Sequence, residues 1–199
     1  TLPRNERNMP DKIRVYSRKT KRYSRIIKDI YELYDYGYYH GDAYDNYSFE
    51  AFKSSFLTRI KFLRKFYEGG GKLLDVGCAL GFFAKVAQDD GFDAYGVDIS
   101  KYAVREGRKL LGNKILVANI EEKMPFPSNF FDIITAWDVL EHLKHPDSFL
   151  KIASRVLKQN GLIFIRTLNY ECLTARLMRE NWLQIDPLHV TYKITIADL

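Results

Sequence analysis

Apolar residues recur along the chain with two different periods. From Ser48 to Tyr67, residues Phe52, Phe56, Ile60, Leu63 and Phe66 return every three or four positions, which predicts an amphipathic helix. Gly69-Gly70-Gly71 then marks the start of a core domain, and short continuous apolar runs take over. Leu73-Leu74-Asp75-Val76 suits a strand buried on both faces, and Ala94 to Asp98, Ile115 to Ala118, Phe131 to Ala136 and Leu162 to Ile165 read as four further strands. Helical spacing separates them. Leu80, Phe83, Val86 and Ala87 lead to a stop at Gly91, and Ser100 caps a helix running to Gly112. Pro146 near the start of the next helix, with Gly161 after it, fits capping rules. The alternation predicts an α/β fold, doubly wound around a mostly parallel sheet.

The flanks are less regular. Residues 1 to 24 show no clean periodicity, and Ile26 to Tyr34 suits a short helix. Next comes an aromatic stretch with Tyr31, Tyr34, Tyr36, Tyr38, Tyr39, Tyr44 and Tyr47, broken by Gly37 and Gly41 into expected turns. These tyrosines suit either amphipathic packing with wet hydroxyls or a lid over a site. Beyond the fifth strand, Glu171 to Trp182 reads as helical, and a cap is expected at Thr195 after His189 and Tyr192. The division expected is residues 1–47 as a basic, aromatic-rich arm or lid and 48–199 as the ligand-binding domain.

The first strand carries the chemistry. Asp75 ends it, and Gly77 and Gly81 follow before the helix. Strand, acid, glycine turn and helix make a ligand crevice at the carboxyl edge of an open parallel sheet. The glycines let backbone approach a ligand, and the helix N-terminus offers N–H donors. The dinucleotide fingerprint needs G-x-G-x-x-G, and here only Gly77-x-x-x-Gly81 is present. An acid in this turn repels a pyrophosphate and attracts an ammonium group. That favours a ligand with a positive end, such as the methionine part of S-adenosylmethionine, and ranks a nicotinamide dehydrogenase last. Asp98 ends the second strand, where a carboxylate can accept from both ribose hydroxyls.

Composition narrows the picture. The 199 residues are 46% hydrophobic, enough for one globular domain with an arm. No run reaches membrane-spanning length and the N-terminus lacks a signal-peptide core. Cys78 and Cys172 form no disulfide or metal pattern, which suits a cytoplasmic setting. Cys78 suits a small position in the turn better than a reactive thiol. The net charge of +6 is uneven: residues 1–28 hold ten Lys or Arg against Glu6 and Asp11. Such an arm suits a solvated extension, the preferred reading, or binding to nucleic acid or another acidic surface.

At Asp75-Val76-Gly77-Cys78-Ala79-Leu80-Gly81 the sequence resembles the class I S-adenosylmethionine-dependent methyltransferases, whose first motif reads D-x-G-x-G-x-G. Ala79 replaces the middle glycine, and as an alanine it is expected to avoid positive φ. The phrase from Met124 to Ile165 resembles the same family through its fourth and fifth strands, including the Glu141-His142 segment also seen in ubiquinone-pathway O-methyltransferases. The resemblance implies a sheet order of 3-2-1-4-5. The full family fold has two more strands, so a fragment, an undetermined tail or a partner (a homodimer, for instance) over the exposed sheet edge is expected.

The resemblance also distributes roles. Asp75, Gly77, Cys78, Ala79, Gly81 and Phe82 would surround the methionine moiety, and Asp98 with Ile99 the ribose. Asn119, where the family usually has Asp, would accept from the adenine amino group, with the Ile120 N–H facing a ring nitrogen. Ala136 and Trp137 would line the same site. His142, a residue type suited to proton transfer, is the candidate base, with orientation of its own loop as the competing role. Asp138, Glu141 and His142 as a cation site is a minority reading, so no metal is expected. The slot after the fourth strand reads Trp137-Asp138-Val139-Leu140 and lacks N/D-P-P-Y, the tetrapeptide that cradles planar amines. An oxygen or carbon acceptor on a small molecule follows, methylated by in-line displacement with S-adenosylhomocysteine as product. An RNA methyltransferase using the basic arm and a non-catalytic cofactor-binding fragment stand as alternatives.

Overall fold

The computed structural model describes residues 13–17, 22–27, 34, 39 and 48–178. The chain divides into two compact units, Thr1–Tyr47 and Ser48–Leu199.

In the first unit β1 (Ile13–Ser17) pairs antiparallel with β2 (Arg22–Ile27), with a register shift between Val15 and Tyr16. This corrects the expectation of a helix beginning at Ile26. Ile26 and Ile27 are β-branched and finish a strand instead, because cross-strand pairing outweighs a short helical pattern. Tyr34 lies in a turn, and Tyr39 is helical and buried. Tyr31, Tyr36, Tyr38, Tyr44 and Tyr47 of the expected lid lie outside the described residues.

The second unit opens with α1 (Phe49–Leu63), capped by Ser48, whose hydroxyl accepts the Ala51 N–H. Such a cap contributes about 1 kcal/mol. Phe56, Ile60 and Leu63 are buried as the spacing predicts, whereas Phe52 and Phe66 stay exposed. Then follow β3 (Lys72–Val76), α2 (Phe82–Asp89), β4 (Asp93–Asp98), α3 (Lys101–Leu111) and β5 (Ile115–Val117). After a loop come β6 (Phe131–Trp137), α4 (Pro146–Val156), β7 (Leu157–Arg166) and α5 (Leu173–Met178). The five strands among the described residues of this unit are parallel, in the order β5-β4-β3-β6-β7. Counted from β3, that is the expected 3-2-1-4-5. The order reverses at β3, so a crevice opens at its carboxyl end.

Strand alternation divides the core. Leu73 and Ile133 join Phe56, Ile60, Leu63, Phe83 and Val104 beneath α1, α2 and α3. Leu74, Val76 and Ile134 join Phe149, Ala153 and Val156 beneath α4. Asp75 therefore shares the parity of Leu73, on the α1 and α2 side. Ser100 caps α3 by accepting from Ala103, and Pro146 opens α4, both as predicted. Gly91 ends α2 with φ 95°.

Gly161 is a second correction. It does not end α4, whose C-cap is Leu157; it lies inside β7 beside Asn160 at φ 66°. A Cβ there would come within 3.0 Å of the Asp132 carbonyl oxygen, so the glycine serves close approach of β6. The expected helix from Glu171 is described as α5 only, and His189, Tyr192 and Thr195 lie outside the described residues. No described helix is long and apolar enough to cross a membrane.

Candidate active site

Asp75 lies in register between Gly96 of β4 and Thr135 of β6. It is 3% exposed, and its Oδ1 accepts from the Thr135 hydroxyl at 2.8 Å. Burial pushes its pKa up to about 7; the Thr135 bond and the Arg59 charge oppose the rise, and the nearby Asp98 adds to it. Removing a carboxylate from water is costly, which is why burial dominates.

The turn after β3 is left-handed at alternate residues: Gly77 at φ 66°, Ala79 at φ 48° and Gly81 at φ 78°. Two of these positions demand glycine. A Cβ on Gly77 would meet Val139 Cγ2 at 2.5 Å, and one on Gly81 would meet Ile115 Cδ1 at 2.5 Å. Ala79 does not avoid positive φ, contrary to expectation. Its N–H donates to Asp98 Oδ2 at 2.8 Å, and that bond holds the strained conformation. Cys78 is buried, with its N–H on the Val97 carbonyl and its sulfur against Gly96, where a Cβ would come within 2.7 Å. Burial raises its thiol pKa further, so it is an inert small filler. Gly81 caps α2 without any side-chain bond, and Phe82 packs edge-on to Phe49 of α1 at 5.7 Å.

Asp98 ends β4 and is 8% exposed. Its two oxygens accept from Ala79 and, at 2.9 Å, from the Ser100 N–H. Burial raises its pKa, opposed by the N–H groups of Ser100, Ala79 and Ile99. A carboxylate has about four lone-pair sites, so Asp98 keeps acceptor capacity beyond its structural bonds.

Asn119 follows β5 and caps its own turn. Its Oδ1 accepts the Glu121 N–H at 3.1 Å, and its Nδ2 donates to Glu122 Oε1 at 2.8 Å. That orientation leaves one lone pair on Oδ1 for any further donor. Ile120 next to it is buried. Ala136 is fully buried near the end of β6, and Trp137 packs edge-on to Phe83 at 5.4 Å. The Arg59 guanidinium lies 5.0 Å from the indole centroid. The Trp137 Nε1 is buried and has no hydrogen-bond partner among the described residues.

The segment after β6 is tied to the end of β7. Asp138, at φ 58°, donates its N–H to the Arg166 carbonyl at 2.7 Å and receives the Arg166 guanidinium through both carboxylate oxygens. Arg59 Nη2 stands 3.9 Å from the same carboxylate. Leu140 to His142 form one 3-10 turn, in which His142 N–H donates to the Val139 carbonyl. Glu141 is 2% exposed and accepts from the Thr167 hydroxyl at 2.8 Å. Burial raises its pKa, opposed by its own backbone N–H, Thr167 and His142. Asp138 and Glu141 thus face different partners, and among the described residues no group of three acids, histidines or cysteines is placed to hold a metal ion.

The site therefore brings together Asp75, the Gly77–Gly81 turn, Asp98 and Trp137. Two contributors, Arg59 and Thr135, were missed by sequence reasoning. Thr135 left a faint signal as the single hydroxyl in the otherwise apolar run from Ile133 to Trp137. Arg59 left almost none, since a cation three residues after Phe56 reads as ordinary helix surface.

A family model described as a methyltransferase domain matches residues 11–195. A ubiquinone biosynthesis O-methyltransferase of Idiomarina loihiensis is 30% identical over 122 residues, covering 56% of this chain and 49% of that protein. A ubiquinone/menaquinone biosynthesis C-methyltransferase of Burkholderia mallei is 35% identical over 104 residues, covering 48% of this chain and 42% of that protein. The chain thus spans about half the length of these curated relatives. Among solved structures, a protein of Pyrococcus horikoshii superimposes with TM-score 0.58 at 28% identity, covering 63% of this chain and 62% of that one. An S-adenosylmethionine-dependent methyltransferase of Archaeoglobus fulgidus has the same fold, with TM-score 0.61 at 21% identity over 85% of this chain and 70% of its own.

Proposed function

The chain belongs to the class I S-adenosylmethionine-dependent methyltransferases, and from that premise we propose that it moves a methyl group to an oxygen or carbon atom of a small-molecule acceptor. One observation carries the reading: two buried carboxylates, Asp75 one residue before the end of β3 and Asp98 at the end of the adjacent β4, lie beside a left-handed glycine turn.

The groups present fit the ligand. Asp98 has acceptor capacity left for ribose hydroxyls, and Asp75 suits an ammonium group. Arg59 lies near enough to lower the Asp75 pKa and has the charge to receive the methionine carboxylate. The Trp137 N–H is a buried donor that costs about 1–3 kcal/mol without an acceptor, so an incoming acceptor atom is rewarded there. When bound, S-adenosylmethionine supplies a methyl group on a sulfonium centre with its leaving group built in.

The chain's own residues then bind, align and dry the site. Gly77, Cys78, Ala79, Gly81 and Phe82 bring backbone against the methionine end, and Ile99 flanks the ribose. Ile120 and the remaining lone pair of Asn119 meet the adenine, while Ala136 and Trp137 close the inner wall. Alignment and exclusion of water can lower such a barrier by ~7–11 kcal/mol at best. His142, held by its 3-10 turn, takes the acceptor proton as base, which is worth roughly a hundredfold or more. The relatives named for quinone biosynthesis support a small oxygen or carbon acceptor.

Calorimetric titration with S-adenosylmethionine and S-adenosylhomocysteine tests this reading. Affinity around −8 kcal/mol, a micromolar constant, is expected, and Asp98→Ala or Asp75→Ala should abolish it. Absence of binding by the parent chain would reject the proposal.

A further inference from the structure

An asparagine can present either end of its amide to a purine, an oxygen that accepts or an NH₂ group that donates. At Asn119 both ends are engaged within its own turn. The Glu121 N–H, which can only donate, bonds Oδ1 at 3.1 Å, and the Glu122 carboxylate, which can only accept, bonds Nδ2 at 2.8 Å. These two partners set the amide one way round. Turned over, it would place NH₂ against the Glu121 N–H and oxygen against the Glu122 carboxylate.

The turn itself is anchored beside the crevice. The Asn119 carbonyl accepts from Glu122 at 3.1 Å and from Lys123 at 3.0 Å, and the Ala118 N–H donates to the Asp98 carbonyl at 3.0 Å. The Glu121 carboxylate accepts the His145 N–H at the start of α4. Asn119 thus follows directly on a residue bonded to the end of β4, where Asp98 stands.

We propose that Glu122 is a positioning residue that sets purine selectivity: by holding Nδ2 it keeps Asn119 Oδ1 turned toward the nucleobase, so that a purine with an exocyclic amino group is taken and one with an oxo group refused. The inference rests on the cofactor reading above, in which Asn119 meets the adenine. An amino group donates to the remaining Oδ1 lone pair, whereas an oxo group would set one acceptor against another. A site built to bond one polar group rejects an analogue that cannot make the bond more strongly than it rejects a change of one methylene.

The test is calorimetry of the full chain with S-adenosylhomocysteine and its deaminated analogue S-inosylhomocysteine, read as the ratio of the two dissociation constants. The parent should favour the amino form by about a hundredfold or more. Glu122→Ala should narrow that ratio about fivefold or more, within the range of one lost hydrogen bond. Glu122→Gln, whose side-chain oxygen still accepts from Nδ2, should keep the parent ratio. A merely structural role would lower both affinities together and leave the ratio alone. Ile120 is the same in every variant, so a change in the ratio reports on the Asn119 amide. In an Asn119→Asp background, where either oxygen accepts, Glu122→Ala should no longer move the ratio. Failure of the parent to bind S-adenosylhomocysteine would overturn the cofactor reading and this inference with it. With that binding intact, equal affinity of the parent for both ligands, an unchanged ratio in Glu122→Ala, or the same change in the Asn119→Asp background would overturn the inference alone.

Discussion

The carboxylate of Asp98 accepts the backbone N–H of Ala79 at 2.8 Å, so the end of β4 holds the turn that follows β3. Its second oxygen accepts from Ser100 at 2.9 Å, at the start of α3. One side chain thereby joins two strand ends and a helix cap at the crevice.

Replacing Asp98 by Asn should expose that double duty. An amide presents one oxygen and one NH₂ group, and the latter cannot accept a backbone N–H. Loss of about 1–3 kcal/mol of stability is expected in urea unfolding, for one buried donor left without its acceptor. S-adenosylhomocysteine affinity should fall by a further factor of ten or more, a bond's worth of binding energy.

Ala79 at φ 48° and Gly77 at φ 66° should respond in opposite directions. Ala79→Gly relieves left-handed strain, offset partly by the greater freedom of glycine in the unfolded chain; a net gain of ~0.5–1 kcal/mol is expected. Gly77→Ala puts a methyl 2.5 Å from Val139 Cγ2 in the same strained region, and a loss of roughly 3 kcal/mol or more is expected. Chemical denaturation of both variants checks the contrast.

Asp75 makes stability pH-dependent in an identifiable window. Its folded pKa is about 7 against 3.8 for the ordinary carboxyl, so between those values the folded state binds more protons than the unfolded one. Stability should therefore fall as pH rises from about 4 to about 7 and level off above, by on the order of 3–4 kcal/mol from this group. Asp98 and Glu141, also raised by burial, act in the same direction. Thermal melts across that range should show the slope, and Asp75→Asn should reduce it. In the proposed complex an ammonium beside Asp75 favours the charged form, so binding near pH 6 should release protons, visible as a buffer-dependent enthalpy.

Arg59 links α1 to the site through Trp137 and Asp75. Arg59→Gln removes the charge that opposes the rise in the Asp75 pKa, so the pH slope should extend to higher pH. Without the guanidinium over the Trp137 ring, 5.0 Å away, unfolding should become easier by about 0.5–1 kcal/mol. S-adenosylhomocysteine binding should weaken about tenfold or more, and adding Asp75→Asn should change the effect of Arg59→Gln if the two act together.

Local chemistry made much of this protein legible in its sequence. Continuous apolar runs separated by helical spacing specify a parallel sheet, because strands buried on both faces cannot alternate with polar residues. Ser48, Ser100 and Pro146 announce helix starts because capping is decided within a few residues. The acid and glycines from Asp75 to Gly81 mark the crevice for the same reason. What remained hidden depends on residues brought together from far along the chain. Ala79 adopts a conformation its own side chain disfavours because Asp98, 19 positions on, supplies the compensating bond. Gly161 serves β6 and not the helix before it, and Ile26 obeys its pairing with Arg14 instead of a helical period. Arg59, Thr135 and the Arg166–Asp138 pair acquire meaning only when sheet order sets them beside the crevice. Propensity and capping act over a few residues, whereas burial, charge pairing and register are properties of the assembled fold, and those decided which side chains share the site.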